Sequence, residues 1–112
     1  MSRYMQLKVT VMPYYPRYLE ETYPKTARYV KRSGSALPEP NPSLYDLAGQ
    51  VDKLLYKLDG TPFREVLLRH REKLRTLHRH ITEHIAEWRL AQADRLLYEL
   101  EDEFDLLEAE LD

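Results

Sequence analysis

Residues 63–112 read FREVLLRHREKLRTLHRHITEHIAEWRLAQADRLLYELEDEFDLLEAELD, a stretch without a single glycine or proline. Its apolar residues include Phe63, Leu67, Leu74, Leu77, Ile81, Ile85, Trp88, Leu96, Leu100, Phe104, Leu107 and Leu111. A stripe that recurs every three or four residues over this length is the signature of helix. One helix over the whole stretch would be roughly 75 Å long at ~1.5 Å per residue. The heptad phase slips near Ala91 and Gln92: Leu67, Leu74, Leu77, Ile81 and Trp88 fit one register, and Ala93, Leu97, Leu100, Phe104, Leu107 and Leu111 another. Such a slip marks either a stutter in one continuous helix or the corner of a helical hairpin. Nothing at the slip breaks a helix, so the continuous helix is the favoured expectation and the hairpin its alternative, although typical helices are far shorter.

An apolar stripe needs something to cover it. The candidate interface residues are Leu67, Leu74, Leu77, Ile81, Ile85, Trp88, Leu97, Leu100, Phe104 and Leu107, packing coiled-coil fashion against another protein or against a second copy in a homodimer. Charge supports this. Arg64, Arg69, Arg71, Lys73, Arg75 and Arg79 lie toward one end, and ten acids lie between Glu87 and Asp112. Two antiparallel helices would match basic half to acidic half, and a hairpin would make the same match within one chain. The competing explanation is a set of solvated helix faces, in which each exposed pair contributes only ~0–1 kcal/mol.

Upstream, Thr61 and Pro62 have the form of an N-cap followed by a first helical residue. Before them, Asn41 as cap and Pro42 introduce Leu44, Leu47, Ala48, Val51, Leu54, Leu55 and Leu58 at helical spacing, ended by Gly60; this predicts one helix. Residues 13–42 hold six of the seven prolines, leaving room for short helices over residues 17–23 and 25–31, the second opened by Pro24. The run from Ser33 to Pro42 reads as linker. Met5, Leu7, Val9 and Val11 alternate with polar residues, which predicts a strand over residues 4–12. With no second strand in evidence, it would pair with a second copy. The expected fold is mainly α: an N-terminal strand and short helices, then a helix, then a long helix or hairpin. Residues 1–35 form a basic Tyr-rich module, 36–42 a linker and 43–112 a helical scaffold.

At 112 residues, 43% hydrophobic and 32% charged, the chain suits one globular unit. The absence of cysteine fits a reducing compartment, with cytoplasm the expectation, and no run approaches the ~20 apolar residues of a membrane span. The N-terminal third interleaves tyrosines with cations, of which Lys8, Arg17, Lys25, Arg28, Lys31 and Arg32 are candidate nucleic-acid contacts through phosphate neutralisation and base stacking. The strand resembles that of ribbon–helix–helix regulators, a resemblance that implies paired copies reading the major groove through Gln6, Lys8 and Thr10. The competing explanation is a small tyrosine core whose basic neighbours contact the acidic C-terminal segment.

His80-Ile81-Thr82-Glu83-His84 resembles the H-x-x-E-H signature of inverted-zincin metallopeptidases. That resemblance implies zinc ligands at His80 and His84, a catalytic Glu83, and a third ligand further on. Solvated helix histidines are the competing expectation and the one adopted, with His80 and His84 the sole metal candidates. No Gly-rich phosphate loop, thiol or Ser/His/Asp arrangement is present. The expectation is therefore a non-enzymatic interaction or assembly protein without cofactor, with nucleic-acid binding as the alternative.

Overall fold

The computed structural model describes residues 11–13, 19–33 and 42–111. Their regular structure is entirely helical: α1 (Leu19–Thr22), α2 (Pro24–Ser33), α3 (Leu44–Gly49), α4 (Val51–Lys57), α5 (Pro62–Ala86) and α6 (Leu90–Glu110). The strand expected over residues 4–12 falls almost wholly outside the described residues, as does most of the linker; Val11–Pro13 have no regular structure, and no strand occurs among the described residues.

The favoured continuous helix does not form. α5 stops at Ala86 and the chain turns back through Glu87, Trp88 and Arg89 into α6. The Arg89 N–H reaches the His84 carbonyl (2.8 Å) and the Trp88 N–H reaches the Ile85 carbonyl (3.1 Å). These are the paired six-to-one and five-to-two bonds of a Schellman ending, which requires left-handed backbone at the residue between them. That residue is Trp88, at φ 58°. The physical reason for the turn is the stripe itself. Closing the hairpin brings Leu67, Leu74, Leu77 and Ile81 of α5 together with Leu100, Phe104 and Leu107 of α6 in one core, none more than 4% exposed. Each such burial is worth ~1.5–3 kcal/mol, against a left-handed residue that costs ~1–2 kcal/mol.

The single helix expected between Leu44 and Leu58 is also divided. Gln50 sits at φ −110°, ψ 13° between α3 and α4. Gly49, a poor helix former, precedes the break. The bend lets α3 pack on both α5 and α6 while α4 follows α5. The cap is Ser43, whose hydroxyl accepts from the Asp46 N–H while the Asp46 carboxylate accepts from the Ser43 N–H, a reciprocal capping box. Thr61 and Pro62 open α5 as their chemistry predicts, with the Thr61 hydroxyl accepting from Arg64 N–H.

Pro24 is the first residue of α2. α2 lies over the open end of the hairpin, where Tyr29 stacks on Phe63 (5.2 Å, 15°) and Tyr23 leans on Phe104 (6.1 Å, 57°). Leu19, Tyr23, Ala27 and Val30 thus share one core with the helices after residue 43.

Candidate functional site

The described tyrosines and cations of the N-terminal part are engaged with neighbours inside the chain. Tyr23 OH donates to Asp105 Oδ1 at 2.8 Å. The Glu108 carboxylate accepts from the Lys25 N–H (3.0 Å), the Thr26 N–H (3.0 Å) and the Thr26 hydroxyl (2.9 Å), while Lys25 Nζ donates to the Leu111 carbonyl. A carboxylate on α6 therefore caps the N-terminus of α2, where free N–H groups and the helix dipole favour negative charge. Lys31 pairs with Glu20, and the guanidinium groups of Arg28 and Arg32 lie 5.7 and 5.8 Å from the Tyr29 ring centre. Lys8 and Arg17 lie outside the described residues. Glu108→Ala is expected to lower stability by about 2 kcal/mol, since three hydrogen bonds to one ionised group are lost. Urea denaturation measures the loss, and faster hydrogen exchange at Lys25 and Thr26 locates it.

Charge matching between α5 and α6 is narrower than the expectation that set the basic half of the segment against the acidic half. Only Arg69 and His70 meet α6: Arg69 lies 3.8 Å from Glu110, and His70 is held by Glu103 at Nδ1 (2.5 Å) and by Glu110 at Nε2 (2.6 Å). Arg64 turns instead to Asp59, and Arg71 and Arg75 to Asp52 on α4. Burial opposes charge on His70, but its two carboxylate partners outweigh that and raise its pKa above the ordinary imidazole value. Elsewhere on α6, burial and then the neighbouring Asp105, Asp102 and Asp94 raise the Glu101 pKa.

A second histidine occupies a different environment. The His78 ring stacks on Tyr45 (4.4 Å, 23°), whose hydroxyl lies 2.5 Å from Thr82 Oγ1. Burial lowers the His78 pKa, with Asp46 opposing. Its Nε2 would lie 2.8 Å from a Cβ on Gly49, so any side chain there requires the stacked ring to shift. Gly49→Ala is expected to cost about 1 kcal/mol, crowding outweighing the gain in helix propensity. In a His78→Ala background the same change becomes stabilising by a similar amount, and thermal melts of the four proteins test the reversal. Beside the ring lies a cavity of about 120 Å³ lined by Ala48, Gly49, Val51, Asp52, Arg75 and His78. A second, of about 60 Å³, lies between Pro13, Tyr45 and Leu97. Both are small beside the ~300–1,000 Å³ of small-molecule sites.

The remaining feature is the hairpin corner. Trp88 is 58% exposed there and Leu90 39%, next to half-buried Ile85. No protein family, curated protein or solved structure matches the chain. The corner therefore has to be read from its own residues. His80 and His84 lie half-buried on the last turns of α5. His84 Nδ1 accepts from Arg89 Nε at 2.9 Å, and among the described residues no three His, Asp or Glu side chains converge to hold a metal.

Of the candidate interface residues, Leu67, Leu74, Leu77, Ile81, Leu100, Phe104 and Leu107 are consumed by the chain's own core, Ile85 and Leu97 are half-buried, and Trp88 alone is largely exposed. Sequence reasoning passed over His70, Gly49 and Glu108. His70 carried a signal, because it falls on the apolar stripe between Leu67 and Leu74. Glu108 carried none.

Proposed function

We propose that the chain is a non-enzymatic protein-interaction module that associates through the corner of its C-terminal helical hairpin, with Trp88 as the anchor. The observation that carries this reading is a conflict between residue and position. The left-handed residue of a Schellman ending is usually glycine, because a Cβ there is strained. Trp88 occupies it and still exposes most of its surface. Folding has little use for a bulky residue at that point, and strain held at an exposed position is a mark of function. Tryptophan is also the side chain most often found to dominate binding at interfaces.

The core residues of the stripe are spent on intrachain packing, and of the candidate interface residues Trp88 alone stays largely exposed to supply binding energy. Nucleic-acid binding is disfavoured, since Glu108 and Asp105 lie against the start of α2 and would repel a polyanion. No helix among the described residues is long and apolar enough to cross a membrane.

Trp88→Gly tests the reading. Relief of the left-handed strain is expected to raise stability by about 0.5–1 kcal/mol in urea denaturation. A variant less stable than the wild type would show that Trp88 serves the fold, and the interaction reading would fall.

A further inference from the structure

We propose that the cavity between Pro13, Tyr45 and Leu97, with the acidic side of α6 beside it, receives a lysine side chain from a lysine-rich helical segment of a partner protein. This second contact surface lies partway along α6 and does not rest on the Trp88 reading. The cavity is walled by Pro13, Leu44, Tyr45, Leu97 and Leu100, with Ser43 and Glu101 as its polar members. Its volume of about 60 Å³ holds only a few water-sized groups at ~15 Å³ each. A narrow apolar hole with a carboxylate on its wall suits a side chain that is apolar along its stem and cationic at its tip.

Charge identifies the occupant. Asp94, Tyr98, Glu101 and Asp105 succeed one another at spacings of three and four residues and so share one side of α6. All of them are exposed. α6 carries eight acids against one base, Arg95. Glu103, Glu108 and Glu110 are held by His70, by the start of α2 and by Arg69. Among the described residues, no lysine, arginine or histidine forms an ion pair with Asp94, Glu101, Asp102 or Asp105. Asp105 takes the neutral Tyr23 hydroxyl instead.

Burial and then Asp105, Asp102 and Asp94 raise the Glu101 pKa, as expected of a carboxylate crowded by like charge without a cation. An ammonium at the mouth of the cavity supplies that cation. It donates in several directions, which suits carboxylates spread along a helix better than the flat fork of arginine does. Lysines recurring every three or four residues on a partner helix keep step with Asp94, Glu101 and Asp105. The Tyr98 ring, 63% exposed, borders the same track.

The probe is a helical alanine–lysine peptide of about 20 residues, titrated into the full chain at about 20 mM salt and followed by the amide resonances of the protein. Shifts are expected at Leu97, Leu100, Glu101 and Tyr45, and binding is expected to weaken as salt rises. Acetylating the lysines keeps their stems but removes the charge, and binding should be lost. Glu101→Gln is expected to weaken binding about tenfold while melting no lower than the wild type, since it relieves like-charge crowding. Leu97→Phe narrows the cavity without touching a charge and is also expected to weaken binding about tenfold. Trp88→Gly is expected to bind as the wild type does.

Binding that Leu97→Phe leaves unchanged overturns the cavity as the receptor and shows diffuse attraction to an acidic helix. Binding that survives Glu101→Gln at full strength, or an acetylated peptide that binds as well as its parent, overturns lysine as the occupant. No shift at low salt overturns the proposal outright and leaves the Trp88 reading untouched. Loss of binding in Trp88→Gly moves the contact to the corner and overturns the site on α6.

Discussion

Replacing His70 with alanine is expected to destabilise the protein by roughly 2–4 kcal/mol at about pH 5.5, because it leaves Glu103 without its partner in the seam between the two long helices. The Glu103 side chain is only 15% exposed; Glu110 is 39% exposed and its share is screened by water. The effect depends on pH with a definite sign. Both ring nitrogens of His70 face carboxylates, so the imidazolium, which donates from both, is the form that fits. Its folded pKa is raised above 6.5, so its contribution is complete below pH 6.5 and is lost as pH rises through the raised value. Glu110 works in the other direction. The His70 hydrogen bond chiefly lowers its pKa below 4.5, so that contribution is present above pH 4.5 and lost as pH falls through the lowered value. The stability difference between wild type and His70→Ala should therefore peak between about pH 4.5 and 6.5, and shrink on both sides. Urea denaturation of both proteins at several pH values measures it. A difference that is flat with pH would mean that His70 acts through packing alone. The charged groups facing it are Glu103 and Glu110 from α6, and Arg69, which contacts Glu110 from α5.

Phe104→Ala is expected to cost about 3–5 kcal/mol, the usual price of truncating a fully buried phenylalanine. Phe104 is 2% exposed and sits where α6 meets Tyr23. Small domains have only ~5–15 kcal/mol of stability in total, so the melting temperature should fall by roughly 10 °C or more. Tyr23 loses the surface it leans on, and the docking of α1 and α2 should loosen first, seen as faster exchange at the amides of residues 25–30. Leu106, two residues along the same helix and 58% exposed, provides the contrast: Leu106→Ala should change stability by no more than ~0.5 kcal/mol. Equal losses at the two positions would mean that the described packing of α6 is wrong.

Much of the helical architecture could be read directly from residue chemistry. Pro24 and Thr61-Pro62 mark helix starts through backbone groups that need no partner elsewhere, and the structure places helix starts at both. The slip in phase at Ala91 and Gln92 pointed to within a few residues of the corner at Glu87–Arg89. The candidate site was less legible. A search for a helix ending looks for glycine, and the residue in the left-handed position is Trp88. His80 and His84 attracted notice through their spacing, whereas the histidines with perturbed environments are His70 and His78, made distinctive by carboxylates and an aromatic ring from other helices.

The division between what sequence and tertiary structure decide follows from what each signal measures. Periodicity reports which face of a helix is apolar, so the stripe from Phe63 to Leu111 and the helical class were determined by the sequence alone. Periodicity is silent about what covers that face. The same Leu77 and Phe104 would serve a dimer of long helices or a closed hairpin, and burial of both within one chain decided for the hairpin. The break at Gln50 was likewise decided by tertiary contact, since α3 packs against α5 and α6 whereas α4 packs against α5 and α2. The cap of α2 by Glu108 spans more than eighty residues, beyond the reach of any local pattern. Local backbone chemistry is written residue by residue; the partner of an apolar face or a charged group is chosen only when the chain has closed on itself.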